Sequence, residues 1–501
     1  MVNSIVMKMD RLIILVLYKR VLVIINLFGR KGSVMMKKEE LKQLALRMGN
    51  VPARYETNVE EYQEDEVLFW WEDKNDPEAG IMVELDRDGK LKYLSRPAFR
   101  TDLPPLSESD IEKWMRAFLE THRPGALAEF ELENSGSAND GDVRYSYVQM
   151  ADGLPLPLTG FYVDLSLTGE VTGFSYHGKA DDLVRPGTIA DKREALAHFV
   201  KHIEAELLFT VLHQSVYMQG DDKPHLVYEI VSPTRPISAD LKEENAELDE
   251  YEELENDTRP YVPISRPAPE AEKMSINDMI GLHDGFYKER ESDLGEGCIG
   301  IAWRPEKTKS VREDKSFESL FKERNEHVLK TRYDKESGRL TGVMSFIHSE
   351  GEPEFSEEEC HHMAIRFLFA MFPEADQYFR VQYDEPDDEG ENAGLTFKAC
   401  SGGVDLRFGE GRICVSKKTG LVTVYMPPEI DPKELQEIDP VPSLTMEEAK
   451  DAIRLAIKAE LAWDRCYDDD SSGKVYRLVY KPVFPRFIEA HTGEAITSLI
   501  G

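Results

Sequence analysis

Apolar positions along the chain switch between a helical spacing and a strand-like alternation, and each return to the helical spacing starts a new unit. Leu41, Leu44, Ala45 and Met48 predict a helix over Lys37–Met48. Glu66–Trp71 and Gly80–Leu85 then alternate or run apolar, and Asp88-Gly89 turns the chain into a strand at Leu91–Leu94. A second helix opens at Ser107-Glu-Ser-Asp110, a capping box. Its apolar face is Ile111, Trp114, Met115, Phe118 and Leu119, and it stops near Arg123-Pro124-Gly125. Strands are expected at Phe130–Leu132, at Val143–Met150 and on both sides of Thr168-Gly169, from Phe161 to Phe174. A third unit starts at Thr188-Ile-Ala-Asp191. Its helix carries Ala195, Leu196, Phe199, Ile203 and Leu207, with strands to follow at His213–Met218 and Pro224–Val231.

The corner at Thr168-Gly169 recurs at Lys418-Thr419-Gly420 and His491-Thr492-Gly493, with weaker copies at Asp88-Gly89 and Ser337-Gly338. Glycine supplies the positive φ of such corners, and β-branched flanks suit a pleated surface. Larger correspondences accompany them. Phe118 and Pro124 recur 249 positions later as Phe367 and Pro373, and Gly89 as Gly338. Thr168-Gly169 and Val171 recur 251 positions later as Thr419-Gly420 and Val422. Ile203-Glu-Ala-Glu-Leu207 recurs as Ile457-Lys-Ala-Glu-Leu461, Leu226-Val-Tyr228 as Leu478-Val-Tyr480, and Pro233 as Pro485. A nearly constant offset that carries helix faces, helix stops and corners together marks a tandem duplication.

From Asp240 to Asp257 acidic residues dominate, with Lys242 the single base, and Pro260, Pro263, Pro267 and Pro269 follow. Low hydrophobicity and proline predict a solvated linker over 239–270. The expected class is α+β in two halves, 35–238 and 271–501, each of about three units with a helix packed on antiparallel strands. The units fall near 37–98, 107–178 and 188–238 in the first half, and near 272–350, 356–427 and 443–501 in the second.

Charge narrows the partners. Sixty-one Lys and Arg against 95 Asp and Glu give a formal charge of −34, which repels phosphate backbones and anionic headgroups. Nucleic acid and membrane surfaces are not expected as partners; a protein partner is. Five cysteines, Cys298, Cys360, Cys400, Cys414 and Cys466, all lie in the second half with no CxxC. Reduced thiols in a cytoplasmic protein are the expectation. Residues 12–28 are apolar but broken by Lys19-Arg20, and each charge at bilayer depth costs roughly 2.5–3.5 kcal/mol. Residues 1–34 are therefore expected to be a non-native or disordered extension, the amphipathic helix after Met35-Met36 marking the start of the fold. The alternative is a membrane anchor or export segment through residues 11–28.

At unit level the helix followed by strands, ending in Phe487-Ile-Glu-Ala-His-Thr-Gly-Glu-Ala-Ile496, resembles the PepSY domain; Phe161–Val171 fits the same pattern, with Asp164 at its acidic position. At whole-chain level the doubled arrangement resembles the YcdB/YcdC repeat proteins of spore-forming Gram-positive bacteria, over roughly residues 37–501 without the linker. The resemblance implies a helix packed on a curved antiparallel sheet, a binding or inhibitory role beside peptidases or envelope and sporulation proteins, and no catalytic residues.

Candidate chemistry is sparse. His198 and His202 stand four apart on one helix with Glu194 and Glu206 nearby, and a metal-dependent hydrolase built on them is the alternative function. A zinc-protease helix needs Glu after its first His, where this chain has Phe199, and the second half has Ala452 and Ala456 at the matching positions. Cys360-His361-His362 is dense in ligand types, but consecutive helical residues point apart. Gly295-Glu-Gly297-Cys-Ile-Gly300 spells a dinucleotide fingerprint but precedes a strand, where the fingerprint must open a helix. Lys418-Thr419-Gly420 has no Ser-x-x-Lys partner. Asp468-Asp-Asp470 lacks the alternating acids of a calcium loop. Trp70, Trp71, Trp114 and Trp463 are expected in the core. No catalytic, cofactor or metal residue is assigned, and the favoured function is a non-catalytic binding or regulatory protein.

Overall fold

Helix α1 (Lys38–Met48) starts where Glu40 accepts a hydrogen bond from the Lys37 backbone N–H at 3.1 Å, and its apolar stripe buries Leu41 and Ala45. The computed structural model in which it is seen describes residues 36–499 apart from 100–101, 139–140, 233–234, 243–258, 269–273, 296, 306–311, 313, 350, 386–389, 429 and 467–473. The N-terminal extension, most of the acidic part of the linker, Pro233 and Asp468–Gly473 lie outside the described residues.

Four strands follow α1: β1 (Tyr55–Tyr62), β2 (Glu66–Asp73), β3 (Asp76–Asp86) and β4 (Leu91–Ser95). Helix α2 (Glu108–His122) and the single turn α3 (Ala126–Glu129) lead to β5 (Glu131–Ser137), β6 (Val143–Ala151), β7 (Leu154–Leu165) and β8 (Val171–Gly178). The eight strands form one antiparallel sheet in the order β1-β2-β3-β4-β8-β7-β6-β5. Phe69, Trp71, Val83, Phe161 and Phe174 face α1 and α2, where Leu41, Ile111, Met115 and Leu119 complete the core. Strand β1 escapes the hydrophobic pattern because only Tyr55 and Val59 of its eight residues are buried.

The third helix, α4 (Lys192–Lys201), is capped by Asp191, whose side chain accepts from the Arg193 N–H. It is shorter than the apolar spacing predicts. Ile203 lies past its end, and Leu207 belongs to strand β10 (Glu204–Val211), which pairs with β11 (Pro224–Ser232). His213–Met218 forms turns rather than a strand, with a single bridge from Tyr217 to Ser498. At Ile203–Leu207 cross-strand pairing, which local spacing does not encode, overrides helical periodicity. Two short strands, β9 (Asp182–Val184) and β12 (Ile237–Ser238), flank this region, and β13 (Val262–Pro263) lies in the linker.

The second half repeats the sheet. Helix α5 (Ile276–Met279) precedes β14 (Phe286–Gly295) and β15 (Cys298–Pro305); α6 (Phe317–Asn325) intervenes before β16 (Leu329–Asp334) and β17 (Leu340–Ser345). Helix α7 (Glu357–Met371) and the turn α8 (Ala375–Tyr378) lead to β18 (Phe379–Tyr383), β19 (Asn392–Ser401), β20 (Val404–Ser416) and β21 (Val422–Met426). The pairings run β14-β15-β16-β17-β21-β20-β19-β18, the order of the first sheet. The correspondence reaches side chains. Phe118 meets Phe174 edge-on at 5.6 Å, and Phe367 meets Tyr425 edge-on at 5.1 Å. Helix α9 (Met446–Ala456) and strands β22 (Lys458–Arg465), β23 (Val475–Val483), β24 (Phe487–Glu489) and β25 (Ala495–Ile496) complete the chain.

The third units do not each close within their own half. Hairpin β10–β11 leaves its own helix, pairs in parallel with β20 through Phe209 and Leu406 and antiparallel with β24, and so joins the second sheet, while hairpin β22–β23 pairs with β12 of the first half. Helix α4 accordingly packs Ala195 and Phe199 on Ile457, Ala459 and Tyr480. Helix α9 packs Ala449 and Ile453 in one core with Ile203, Leu226 and Tyr228. The exchange is reciprocal bond by bond. The Tyr228 hydroxyl donates to the Leu444 carbonyl at 2.6 Å, and the Tyr480 hydroxyl to the Ala190 carbonyl at 2.8 Å. The Ala490 N–H donates to Leu226, and the Ala239 N–H to Leu478. Each exchanged hairpin also docks on the opposite sheet. The Trp463 indole donates to the Ala151 carbonyl at 3.0 Å and the Tyr476 hydroxyl to Pro157 at 2.6 Å. Glu229 is held between Arg407 at 2.7 Å and Arg486 at 2.5 Å.

Two further connections are one-sided. Where β2 and β3 meet in a tight turn, the second half inserts α6, whose Phe317 and Leu320 cover the outer face of the first sheet at Val59, Leu68, Trp70 and Met82. Arg324 pairs with Glu72 at 2.5 Å. Linker residues Val262 and Pro263 pair antiparallel with β18 as an added edge strand.

Candidate functional site

The glycine corners serve the packing of helices. At Thr168-Gly169 the Ser166 hydroxyl accepts from the Glu170 N–H, and Gly169 takes φ +83°. A Cβ there would lie 2.7 Å from the Trp114 ring. At Thr419-Gly420, Gly420 takes φ +69° and its Cβ would lie 3.0 Å from the Met363 sulfur, the residue 249 positions after Trp114. Helix and corner approach too closely for a side chain in both repeats. Trp114 does not enter the core as expected. It lies over this corner, 55% exposed, whereas Trp70, Trp71 and Trp463 are buried.

His198 and His202 do share a helix face, with ring centroids 4.8 Å apart. His202 Nδ1 is 2.9 Å from the His198 carbonyl, which can only accept, so Nδ1 donates there and is not offered to a metal. His202 lies at the helix C-cap, and both rings are exposed along with Glu194 and Glu206. Among the described residues no group of three or more His, Cys, Asp or Glu stands close enough to hold a metal ion. Two histidines alone leave a structural zinc two ligands short.

The Cys360-His361-His362 run fans out around α7. Cys360 is fully buried, and burial pushes its thiol pKa up. His361 packs on Tyr383, ring centroids 4.6 Å apart, and burial lowers its pKa. His362 is exposed. An open groove runs over Glu357, Glu358, His361, His362 and Tyr383. Gly295 and Gly297 form the hairpin corner between β14 and β15, with no helix to receive a phosphate. Lys418 pairs with Glu391 at 2.8 Å at the edge of its corner.

The sheet edges offer a different kind of site. In the second repeat the edge strand β18 is covered. Val262 lies opposite Val381 and Pro263 opposite Arg380, and Ile264 is buried in the core beside them. An arginine ties each end of this strap. Arg259 donates to the Tyr383 carbonyl and Arg266 to the Pro373 carbonyl, both at 2.7 Å. In the first repeat the matching edge is β5, and among the described residues no strand pairs with its outer side. All seven of its residues are exposed. The register identifies the counterparts. Val381 pairs with Phe397, and Leu132 pairs with Tyr147, 250 positions earlier. Val381 is completely buried while Leu132 is 53% exposed. Where the covered edge has Arg380, the open one has Glu131. No sequence signal marks this edge as special, because its residues differ from those of β18 only in polarity.

Two copies of an eight-stranded sheet with helices on one face, clasped by exchanged hairpins, define a tandem-repeat α+β protein. The model of the YcdB, YcdC repeated domain matches residues 38–178 and 269–429, which are the two eight-stranded sheets with their helices and, in the second, the approach to α5. The chain belongs to the YcdB/YcdC family. It is 49% identical to YcdB of Bacillus subtilis (strain 168) over 94% of this chain and all of that protein. It is 32% identical to YcdC of the same strain over 91% of this chain and 98% of that one. Among solved structures, the Bacillus megaterium YpeB C-terminal domain matches 42% of this chain and 95% of its own length, at 16% identity and a TM-score of 0.26. That score is too low to carry an argument about the fold. Among the described residues no helix is long and apolar enough to cross a membrane.

Proposed function

We propose that this chain is a non-catalytic binding or regulatory protein whose helix-and-strand units are PepSY-like and that takes hold of a partner protein along a sheet edge. The observation that carries the reading is the strap. The repeat accepts an added strand at one edge, and among the described residues no strand covers the same edge of the sister repeat. The PepSY resemblance names the partner class as a peptidase or an envelope or sporulation protein. The five cysteines are free thiols, which supports a reducing compartment as its place of action.

A photo-crosslinking amino acid at Leu132 of the full-length protein, used in the native host, tests the reading. One partner crosslinked in stoichiometric yield at Leu132 and absent when the probe replaces Lys433 is expected. No adduct at Leu132 or at any other exposed strand position would overturn it. Metal analysis of the same preparation tests the hydrolase alternative, which needs about one zinc per chain and loss of that zinc on His198→Ala.

A further inference from the structure

We infer that β5 is the docking strand for an extended, basic segment of a partner protein, added antiparallel as the strap is added to β18. The inference rests on the binding function proposed above and names the chemistry of what is bound. Backbone pairing requires an extended segment, since a sheet edge presents alternating N–H and C=O groups that only another strand satisfies in series. The exposed Leu132 requires an apolar or β-branched side chain at the central position, the place Val262 takes opposite the buried Val381. The charge of the edge selects the flanks. Glu129, Glu131 and Glu133 lie in and beside the strand, and Glu129 already holds Lys179 at 2.6 Å. The strap shows the geometry of the flanks, with arginines at both ends reaching backbone carbonyls and Arg266 also 3.6 Å from Asp376.

The same features reject other occupants. A second copy of this chain pairing β5 to β5 would set Glu131 and Glu133 against their own kind, and like charges directly opposite are destabilising. The register shift between Leu132 and Asn134 breaks the flatness of the edge, which discourages indiscriminate strand pairing. An acidic segment meets both the local glutamates and a chain of formal charge −34.

Full-length protein and a labelled octapeptide, Arg-Thr-Val-Arg-Val-Thr-Val-Arg, test this by fluorescence anisotropy at low salt, beside a counterpart with glutamate for arginine. The arginine peptide is expected to bind, the glutamate peptide at least about tenfold more weakly, with the difference shrinking as salt screens the flanks. Hydrogen exchange should slow across residues 131–137 on binding. In the double variant Glu131→Arg, Glu133→Arg, whose changes are both at exposed positions, the preference should reverse toward the glutamate peptide. Binding that protects a different strand and is unchanged in the double variant overturns the β5 assignment and leaves the binding function standing. Concentration-dependent dimerisation abolished by the double variant, with no peptide bound, overturns it in favour of a second copy. Neither peptide binding, together with no crosslink at Leu132, removes the assignment, and the absence of any crosslink at the other exposed strand positions removes the function it rests on as well.

Discussion

The two eight-strand arrangements are built alike and finished differently, the second running on through β10, β11, β24 and β25 and gaining β13 to make a thirteen-stranded sheet. The second carries its own edge strand, an inserted helix and a shortened first helix, whereas the first borrows α6 to cover its outer face and, among the described residues, has no strand paired to the outer side of β5. Duplication preserved what the core requires, namely strand order, helix stops and corners. Divergence fell on edges and insertions, where a change alters contacts with neighbours and leaves the packing intact. The third units go further. Their hairpins are so alike that each serves the other's helix, so the halves are tied by exchanged hairpins as well as by the linker.

The comparison is most severely tested in the exchanged hairpins. Phe209 and Trp463 occupy matching, fully buried positions. Each changed to Ala should lose about 3–5 kcal/mol. Because the hairpins knit the halves together, urea unfolding should remain one transition in both variants. Two separated transitions after Trp463→Ala would show that the halves fold independently.

Next comes the asymmetry in charge. Glu229→Ala strands Arg407 and Arg486 at a largely buried site, and breaking such a cluster costs about 3–5 kcal/mol. Its counterpart Lys481 is 36% exposed and 3.7 Å from Asp464, so Lys481→Ala should cost under about 1 kcal/mol. Denaturant midpoints for the two variants give the contrast directly, and equal losses would dismiss the clasp at Glu229.

The corners should differ less. Gly169→Ala and Gly420→Ala both force a left-handed alanine, about 1–2 kcal/mol each. Gly169→Ala should be the worse because it meets the rigid Trp114 ring, whereas Met363 can shift. Thermal unfolding would rank them.

The smallest effect concerns pH. Each repeat holds a histidine whose pKa burial lowers, His122 in the first and His361 in the second, with Arg96 adding repulsion at His122. A depressed folded-state pKa means that the unfolded chain binds the proton first. Their contribution to stability is therefore present above the ordinary histidine value of 6.5 and is lost as pH falls below it. NMR titration should place both rings below 6.5, and His122→Gln or His361→Gln should flatten the stability decline on the acid side.

Much of this architecture was legible in the residues. The helix faces at Ile111, Met115 and Leu119 and the corners at Gly89, Gly169, Gly338, Gly420 and Gly493 appear where the spacing puts them. The family followed from the repeats, as its model matches both. Strand β1 leaves no alternation to read because only Tyr55 and Val59 of its residues are buried. The span from Ile203 to Leu207 continues a helical spacing because strand pairing with β11 leaves no local trace. The candidate edge was invisible, since Leu132 beside Glu131 and Glu133 is an ordinary surface pattern until the buried Val381 is set next to it.

Local stereochemistry and periodicity act within a few residues, so the chain alone determined where helices start, where glycine corners fall and that a unit was copied. It also determined the formal charge of −34. Tertiary structure decided which copy serves which. Ile203-Glu-Ala-Glu-Leu207 and Ile457-Lys-Ala-Glu-Leu461 present the same alternation to either helix, so their pairing is degenerate in local terms. The degeneracy is broken only by contacts far apart in sequence, Glu229 between Arg407 and Arg486 and Trp463 on Ala151, which exist once the chain has folded.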